Sequence, residues 1–243
     1  MISIVGKASL KRTNASDSQS LSVGEIKIGG SSLFSAFVIP EMISGFNKKY
    51  PRISIKIFEN NTKDLIHELI SGELDIIIDN ADIKNENITP VFLKKERLLL
   101  AVPEGFCLND EVKAYGMSGE DVKASRYPME GCGVMLSDFK HLPFILLNSE
   151  NDTGKRADIL FKKHKINPHI CFRLDQQMTA YNVTCQGMGV SFISDTLIKK
   201  IDSSPAVRYY RLCDGETERN IYFYLKKNQY HTVATQRFVE ENT

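Results

Sequence analysis

Apolar positions recur along this chain in two alternating rhythms, one of period two and one near 3.6, and the alternation predicts strands and helices in turn. Glu25-Ile26-Lys27-Ile28 alternates polar and apolar, then Gly29-Gly30-Ser31-Ser32 breaks the pattern, which reads as strand, turn and helix start. From Phe34, the apolar residues Phe37, Val38, Met42, Phe46 and Tyr50 return at three- and four-residue steps, as on one face of a helix. Pro40 either kinks this helix or opens its main part, and Pro51 ends it. A second unit repeats the logic. Ile53, Ile55 and Ile57 alternate in a strand, Asn60-Asn61-Thr62 supplies N-cap candidates, Leu65 to Ile70 makes a short amphipathic helix, and Gly72 stops it. Leu74-Asp75-Ile76-Ile77-Ile78 is the β-branched run of a strand buried on both faces.

After a polar loop, Val91-Phe92 and Arg97-Leu98-Leu99-Leu100-Ala101-Val102 carry further strand signal, and residues 107–143 are irregular apart from a short helix or two. A second series then follows: strand Phe144–Leu147; a helix capped by Asp152 or Thr153 with Ala157, Leu160, Phe161 and His164 inward; strand Ile170–Leu174; a helix capped by Asp175; strand Val190–Ile193. Strands near 207–212 and 221–225 and a helix over 231–241 complete the chain. Alternating strands and helices of this length imply parallel strand–helix–strand crossovers, here in two α/β units joined through Leu98–Val102. The expected division is an arm over 1–22, a first lobe over 23–100, a second over 101–205, and a return to the first over 206–243. Lobes so joined leave a cleft at the carboxyl ends of their strands, where α/β sheets bind ligands.

Charge narrows the function classes. Thirty-one Lys and Arg against thirty Asp and Glu leave a net charge of +1, which disfavours a chain devoted to gripping phosphate backbone. Five cysteines, odd in number and without a C-x-x-C pair, point to a reducing compartment and mostly buried thiols. No stretch approaches the roughly 18 apolar residues of a membrane span, and the N-terminus lacks the apolar core of an export signal. These features lead to a cytoplasmic chain without a membrane segment.

The motifs of common chemistries are missing. The phosphate-loop spacing is absent, Gly187-x-Gly189 leads into a strand with Phe192 where a third glycine would be needed, and Ser32-Leu33 spoils a nucleophile elbow at Ser31. His67-Glu68 lacks the second histidine of a zinc helix, and His164 and His169 have no ligand partner at metal spacing. No catalytic set, metal or cofactor is expected. Lys155-Arg156 and Lys162-Lys163-x-Lys165 form a basic helix face, read as solvated. What remains is a set of polar residues at strand-to-helix turns: Ser31 and Ser32, Asn60 to Thr62, Asp79-Asn80, Asn148 to Thr153, and Gln176-Gln177. Helix starts present unpaired N–H groups that suit a small anion. Five such turns facing one cleft describe a binding site, and the ligand expected is a small carboxylate or an amino acid.

The order of these segments resembles the effector-binding domain of LysR-type transcriptional regulators, a type 2 periplasmic-binding-protein-like fold of two Rossmann-like lobes joined by crossing strands. The resemblance rests on Gly24–Gly29, on Ile39-Pro40-x-Met42-Ile43-x-x-Phe46-x-x-x-Tyr50-Pro51, on L-x-x-x-L-x-x-G-x-L-D-x-x-I from Leu65 to Ile78, and on Leu142–Leu146 and Gly187–Ile193. It implies a small-molecule inducer held between the lobes by Ser31, Ser32, Thr62, Asn80, Leu100, Ala101, Asn148 and Gln177. It also implies a homodimer or homotetramer, with Phe34–Tyr50 of one copy against Lys155–Lys165 of another. DNA would be reached only through a separate N-terminal winged helix-turn-helix, which this sequence does not contain, so that 1–22 is residual linker or a disordered arm. The alternative is a stand-alone solute-binding protein of a transport system; an enzyme on this scaffold would need an acid–base set, for which the turns offer only Asp79. Bulky apolar residues at Ser32 or Gln177 are expected to abolish binding without lowering the melting temperature.

Overall fold

The computed structural model describes residues 24–129 and 133–243; the arm expected over 1–22 and Cys132 lie outside the described residues. The first alternation becomes β1 (Gly24–Gly30), with Ile26 and Ile28 fully buried. The helix that follows is divided at Val38 into α1 (Ser32–Phe37) and α2 (Ile39–Lys49), with Pro40 in the first turn of α2, where its missing N–H costs no helical bond. Then come β2 (Ile53–Glu59), α3 (Thr62–Ser71) and β3 (Ile76–Asp79). Gly72 ends α3 at φ +86°, a left-handed conformation that any Cβ would strain. β1 runs parallel to both β2 and β3 and lies between them.

The two strand signals after residue 88 belong to one strand of sixteen residues, β4 (Ile88–Pro103). Past it lie α4 (Asp110–Lys113), α5 (Gly119–Lys123) and a 3-10 turn at Leu136–Phe139. The second series follows as β5 (Pro143–Leu147), α6 (Asp152–Lys163), β6 (His169–Leu174), α7 (Gln177–Cys185), β7 (Val190–Ser194) and α8 (Asp195–Ile198). β8 (Val207–Tyr210), β9 (Glu218–Lys226) and α9 (Val233–Asn242) close the chain. Strand order is β2-β1-β3-β9-β4-β7-β5-β6, with β8 also on β4.

β4 is the beam of the molecule. Its first part, Ile88–Arg97, pairs antiparallel with β9; its last part pairs with β7 over Leu98–Ala101 and with β8 over Leu100–Pro103. β8 therefore pairs on the same part of β4 as β7, and β9 from Glu218 onward pairs on the part before it. Leu98 and Leu99 pair with Ser194 and Ile193 of β7.

Helices cover both faces of each lobe. One apolar core runs from Phe34, Ile39, Phe46 and Phe238 beneath the first lobe through Leu99 and Ala101 to Tyr181 and Ile193 in the second. A second core packs Phe144, Leu160, Phe161 and Phe192 under α6, and a third seats Leu65 and Leu69 of α3 on Ile77 and Tyr224. Each such side chain withdrawn from water contributes about 1.5–3 kcal/mol. The cysteines depart from expectation: Cys107 and Cys171 are exposed, and Cys185 and Cys213 half-buried. Cys107 lies in the loop after β4, and Cys171 on an outward position of β6, which ends the strand order.

Candidate functional site

Five strand ends converge between the lobes and hand the chain to a turn: β1 to Ser31, β2 to Asn60, β3 to Asn80, β5 to Asn148 and β6 to Asp175. Together these turns line a cavity of about 770 Å³. Six of the eight residues implied by the resemblance, Ser31, Ser32, Thr62, Asn80, Asn148 and Gln177, lie on its wall. Leu100 and Ala101 do not. Both are fully buried within β4, Leu100 in the core under α6 and Ala101 in the long shared core, so sheet pairing on either side leaves them no opening to the cavity.

The wall residues are positioned by local bonds. Ser31 is the N-cap residue of α1, yet its hydroxyl makes no cap bond, and Ser32 Oγ donates to Glu59 Oε1 at 2.6 Å. At α3 the cap is Asn61, whose Oδ1 accepts from Asp64 N at 3.0 Å while its Nδ2 donates to Asp64 Oδ2 at 2.7 Å. At α6 the cap is Asn151, accepting from Thr153 N at 2.9 Å, one or two residues ahead of the Asp152 or Thr153 expected. Asp175 does not cap α7; Gln176 holds that position without a side-chain bond, and Asp175 accepts from Asn148 Nδ2 at 2.6 Å. The start of α6 is pressed onto the end of β5 at Gly154, where a Cβ would stand 2.4 Å from the carbonyl oxygens of Leu147 and Asn148.

Two wall residues connect to a polar network buried under the cavity. Glu96 of β4 and Arg219 of β9 face each other in register, with Arg219 Nε donating to Glu96 Oε2 at 2.6 Å. Asn80 Nδ2 donates to the same oxygen at 2.8 Å. Arg219 Nη1 reaches the second lobe, donating to Asp152 Oδ2 at 2.8 Å and Thr153 Oγ1 at 3.0 Å. Thr153 Oγ1 also accepts from Gln177 Nε2 at 2.9 Å, and Gln177 Oε1 accepts from Ser194 N at 2.9 Å. Burial opposes the Arg219 charge, but Glu96 and Asp152 outweigh it and hold its pKa above the usual arginine value. Gln177 is thus bonded at both ends and is a structural member as well as a wall residue.

Asp79, the one acid–base candidate among the turns, is buried and outside the lining. It accepts from Thr62 Oγ1 at 2.8 Å and from Ala81 N at 2.8 Å, and burial pushes its carboxyl above the usual aspartate range in spite of those bonds. Sequence reasoning did not single out Glu96 or Arg219, which sit in charged runs without period. It also passed over the wall carboxylates Glu59 and Asp64, whose only signal is adjacency to the polar turns, and did not single out Glu150 within the turn Asn148 to Thr153. Among the described residues no cluster of three or more His, Cys, Asp or Glu is placed to hold a metal, and no helix is long and apolar enough to cross a membrane. The basic face of α6 is partly engaged within the chain: Arg156 with Asp152 at 2.8 Å, Lys163 and His164 with Asp214 at 2.9 and 2.8 Å.

Comparison with known proteins agrees with this architecture. Residues 19–241 match the family described as LysR substrate binding domain. The uncharacterized HTH-type transcriptional regulator YybE of Bacillus subtilis (strain 168) is 29% identical over 182 residues, 74% of this chain and 54% of that protein. This chain spans about half to two thirds of the length of the curated relatives it matches. Two solved structures share the fold. The effector binding domain of QuiR, in complex with shikimate, has a TM-score of 0.69 at 21% identity, covering 91% of this chain and 96% of that one. The regulatory domain of CcmR from Synechocystis PCC6803, in complex with 2-PG, has a TM-score of 0.74 at 15% identity, covering 90% and 95%. With nearly its whole length matched, the chain belongs to the LysR substrate binding domain family.

Proposed function

We propose that this chain is the sensor of a LysR-type transcriptional regulator, taking a small effector into the cavity between its lobes and passing lobe closure on to a separate DNA-binding part. The observation that carries the reading is the cavity itself, about 770 Å³ and walled by polar turns from both lobes. That volume falls within the range of small-molecule sites. Ser31, Ser32, Thr62, Asn80, Asn148 and Gln177 form the binding wall. An effector touching both lobes favours the closed arrangement in proportion to its preference for it. DNA contact belongs to a helix-turn-helix outside this sequence, and the protein acts in the cytoplasm as a dimer or tetramer, with α2 of one copy against α6 of another. Asp79, the acid–base candidate among the turns, is buried away from the cavity. Relatives that are themselves regulators favour this reading over a transport solute-binding protein.

Thermal melting of the domain with a metabolite panel, followed by titration calorimetry of the compounds that shift it, tests the proposal. The expected result is a saturable effector whose binding is lost in Ser32→Trp while the unliganded melt holds. Binding that survives Ser32→Trp together with a bulky exchange at Asn148, or a panel without any binder, overturns it.

A further inference from the structure

We infer that the effector selected by this cavity carries a positive group, an ammonium or amidinium on an amine or amino acid, and is not a simple carboxylate; the inference rests on the effector-binding reading above. The wall holds four carboxylates, Glu59, Asp64, Glu150 and Asp175, against one cation, Lys63. Among the described residues none of these five is in an ion pair. Three of the wall's donors are already turned to the protein's own acids: Ser32 to Glu59, Asn61 to Asp64, and Asn148 to Asp175. The first turns of α3 and α6 are capped by asparagine side chains, which takes one N–H of each out of the wall, while α1 and α7 start without a side-chain cap.

A concave wall with three unbalanced negative charges focuses their field on the space it encloses, so an anion enters against it and a cation with it. Of the two ligand classes expected from sequence, the wall chooses the one bearing an amine. The carboxylates are also shared between the lobes, Glu59 and Asp64 from the first and Glu150 and Asp175 from the second. Closing the empty cleft brings like charges together. A positive group seated between them relieves that repulsion, so the same charge that selects the effector drives closure.

The potential can be read without knowing the effector. In Ser31→Cys, whose native hydroxyl makes no cap bond, the introduced thiol is reacted with a trimethylammonium-bearing and a sulfonate-bearing methanethiosulfonate. Peptide mapping separates it from native thiols, and the exposed Cys171 of the same chain corrects for reagent reactivity. The cation-to-anion rate ratio should exceed that of Cys171 by about tenfold at low salt. It should approach parity in about 1 M salt, where the screening length is about 3 Å, and in Asp64→Asn/Asp175→Asn. Gln176→Cys, also on the wall and free of a side-chain cap bond, is the second position if the first does not fold. A ratio at or below that of Cys171 overturns the inference and leaves the effector reading standing. A panel of amines, amino acids and carboxylates that shifts no melting temperature overturns both.

Discussion

Arg219→Met takes away the only cation bonded to Glu96 among the described residues, and the cost follows from what is left behind. Glu96 is fully buried; its Oε2 takes Arg219 Nε at 2.6 Å and Asn80 Nδ2 at 2.8 Å, and its Oε1 has no partner among the described residues. Without the guanidinium, a buried carboxylate holds a single neutral donor. Removing one member of a buried pair costs about 3–5 kcal/mol. Asp152 is protected from the same fate by Arg156, 2.8 Å away, and the lost bond to Thr153 adds about 1 kcal/mol. A loss of about 4–6 kcal/mol is expected at pH 7.5, a large part of the roughly 5–15 kcal/mol of a natural domain. Glu96→Met/Arg219→Met replaces the pair by apolar groups and should recover about 3 kcal/mol of that loss, because no unpaired charge remains. Urea unfolding measures both; with no Trp and nine Tyr in the chain, far-UV dichroism and tyrosine emission are the signals, and their coincidence tests two-state behaviour. A single variant losing less than about 1 kcal/mol, or a double variant no more stable than the single, refutes the reasoning.

Other exchanges follow from the same geometry. Gln177→Leu strands the N–H of Ser194 and costs about 2–3 kcal/mol, or roughly 5–10 °C in melting temperature, reversing the expectation that it is neutral to stability; an unchanged melt refutes this. For Asp79, burial raises the folded-state pKa above the unfolded value of about 3.9. Its folded form therefore binds the proton more strongly, and stability falls as pH rises from that value through the folded pKa. Asp79→Asn removes this slope, so denaturation midpoints of variant and wild type should diverge upward from pH 4 to 7; parallel curves would sink the idea. Gly154→Ala drives a Cβ into two backbone oxygens that cannot swing aside, and about 2–3 kcal/mol of destabilisation in thermal or urea unfolding is expected.

The alternation of apolar and polar residues was enough to place most strands and helices, because each lies against a core on a predictable face. It failed where charge is buried. Lys94-Lys95-Glu96-Arg97 interrupts the apolar pattern and splits β4 in two on paper. In the fold, Glu96 is matched by Arg219 across the ladder, a partner 123 residues away that no local window contains. The caps of α6 and α7 were missed by one or two residues for a related reason. Where several polar residues are adjacent, only the chain's approach angle decides which of them turns back to the helix. The six implied ligand residues on the wall were legible as polar turns at strand ends. Leu100 and Ala101 were not, since an apolar run on a crossing strand has the same appearance whether it faces a cleft or fills a core.

The pairing of β4 has a consequence for how the chain reaches this fold. The second lobe is closed by residues 98–212, in one continuous stretch, so its contacts are available early during synthesis. The first lobe is not: β3, complete by Asp79, must wait for Tyr222–Tyr224 of β9 to cover its open edge, and α2 waits for Phe238 of α9. An unpaired edge of buried isoleucines is an invitation to intermolecular pairing. The last 26 residues therefore act as a clasp, and chains that stop before Glu218 should assemble their second half while leaving the first open to aggregation.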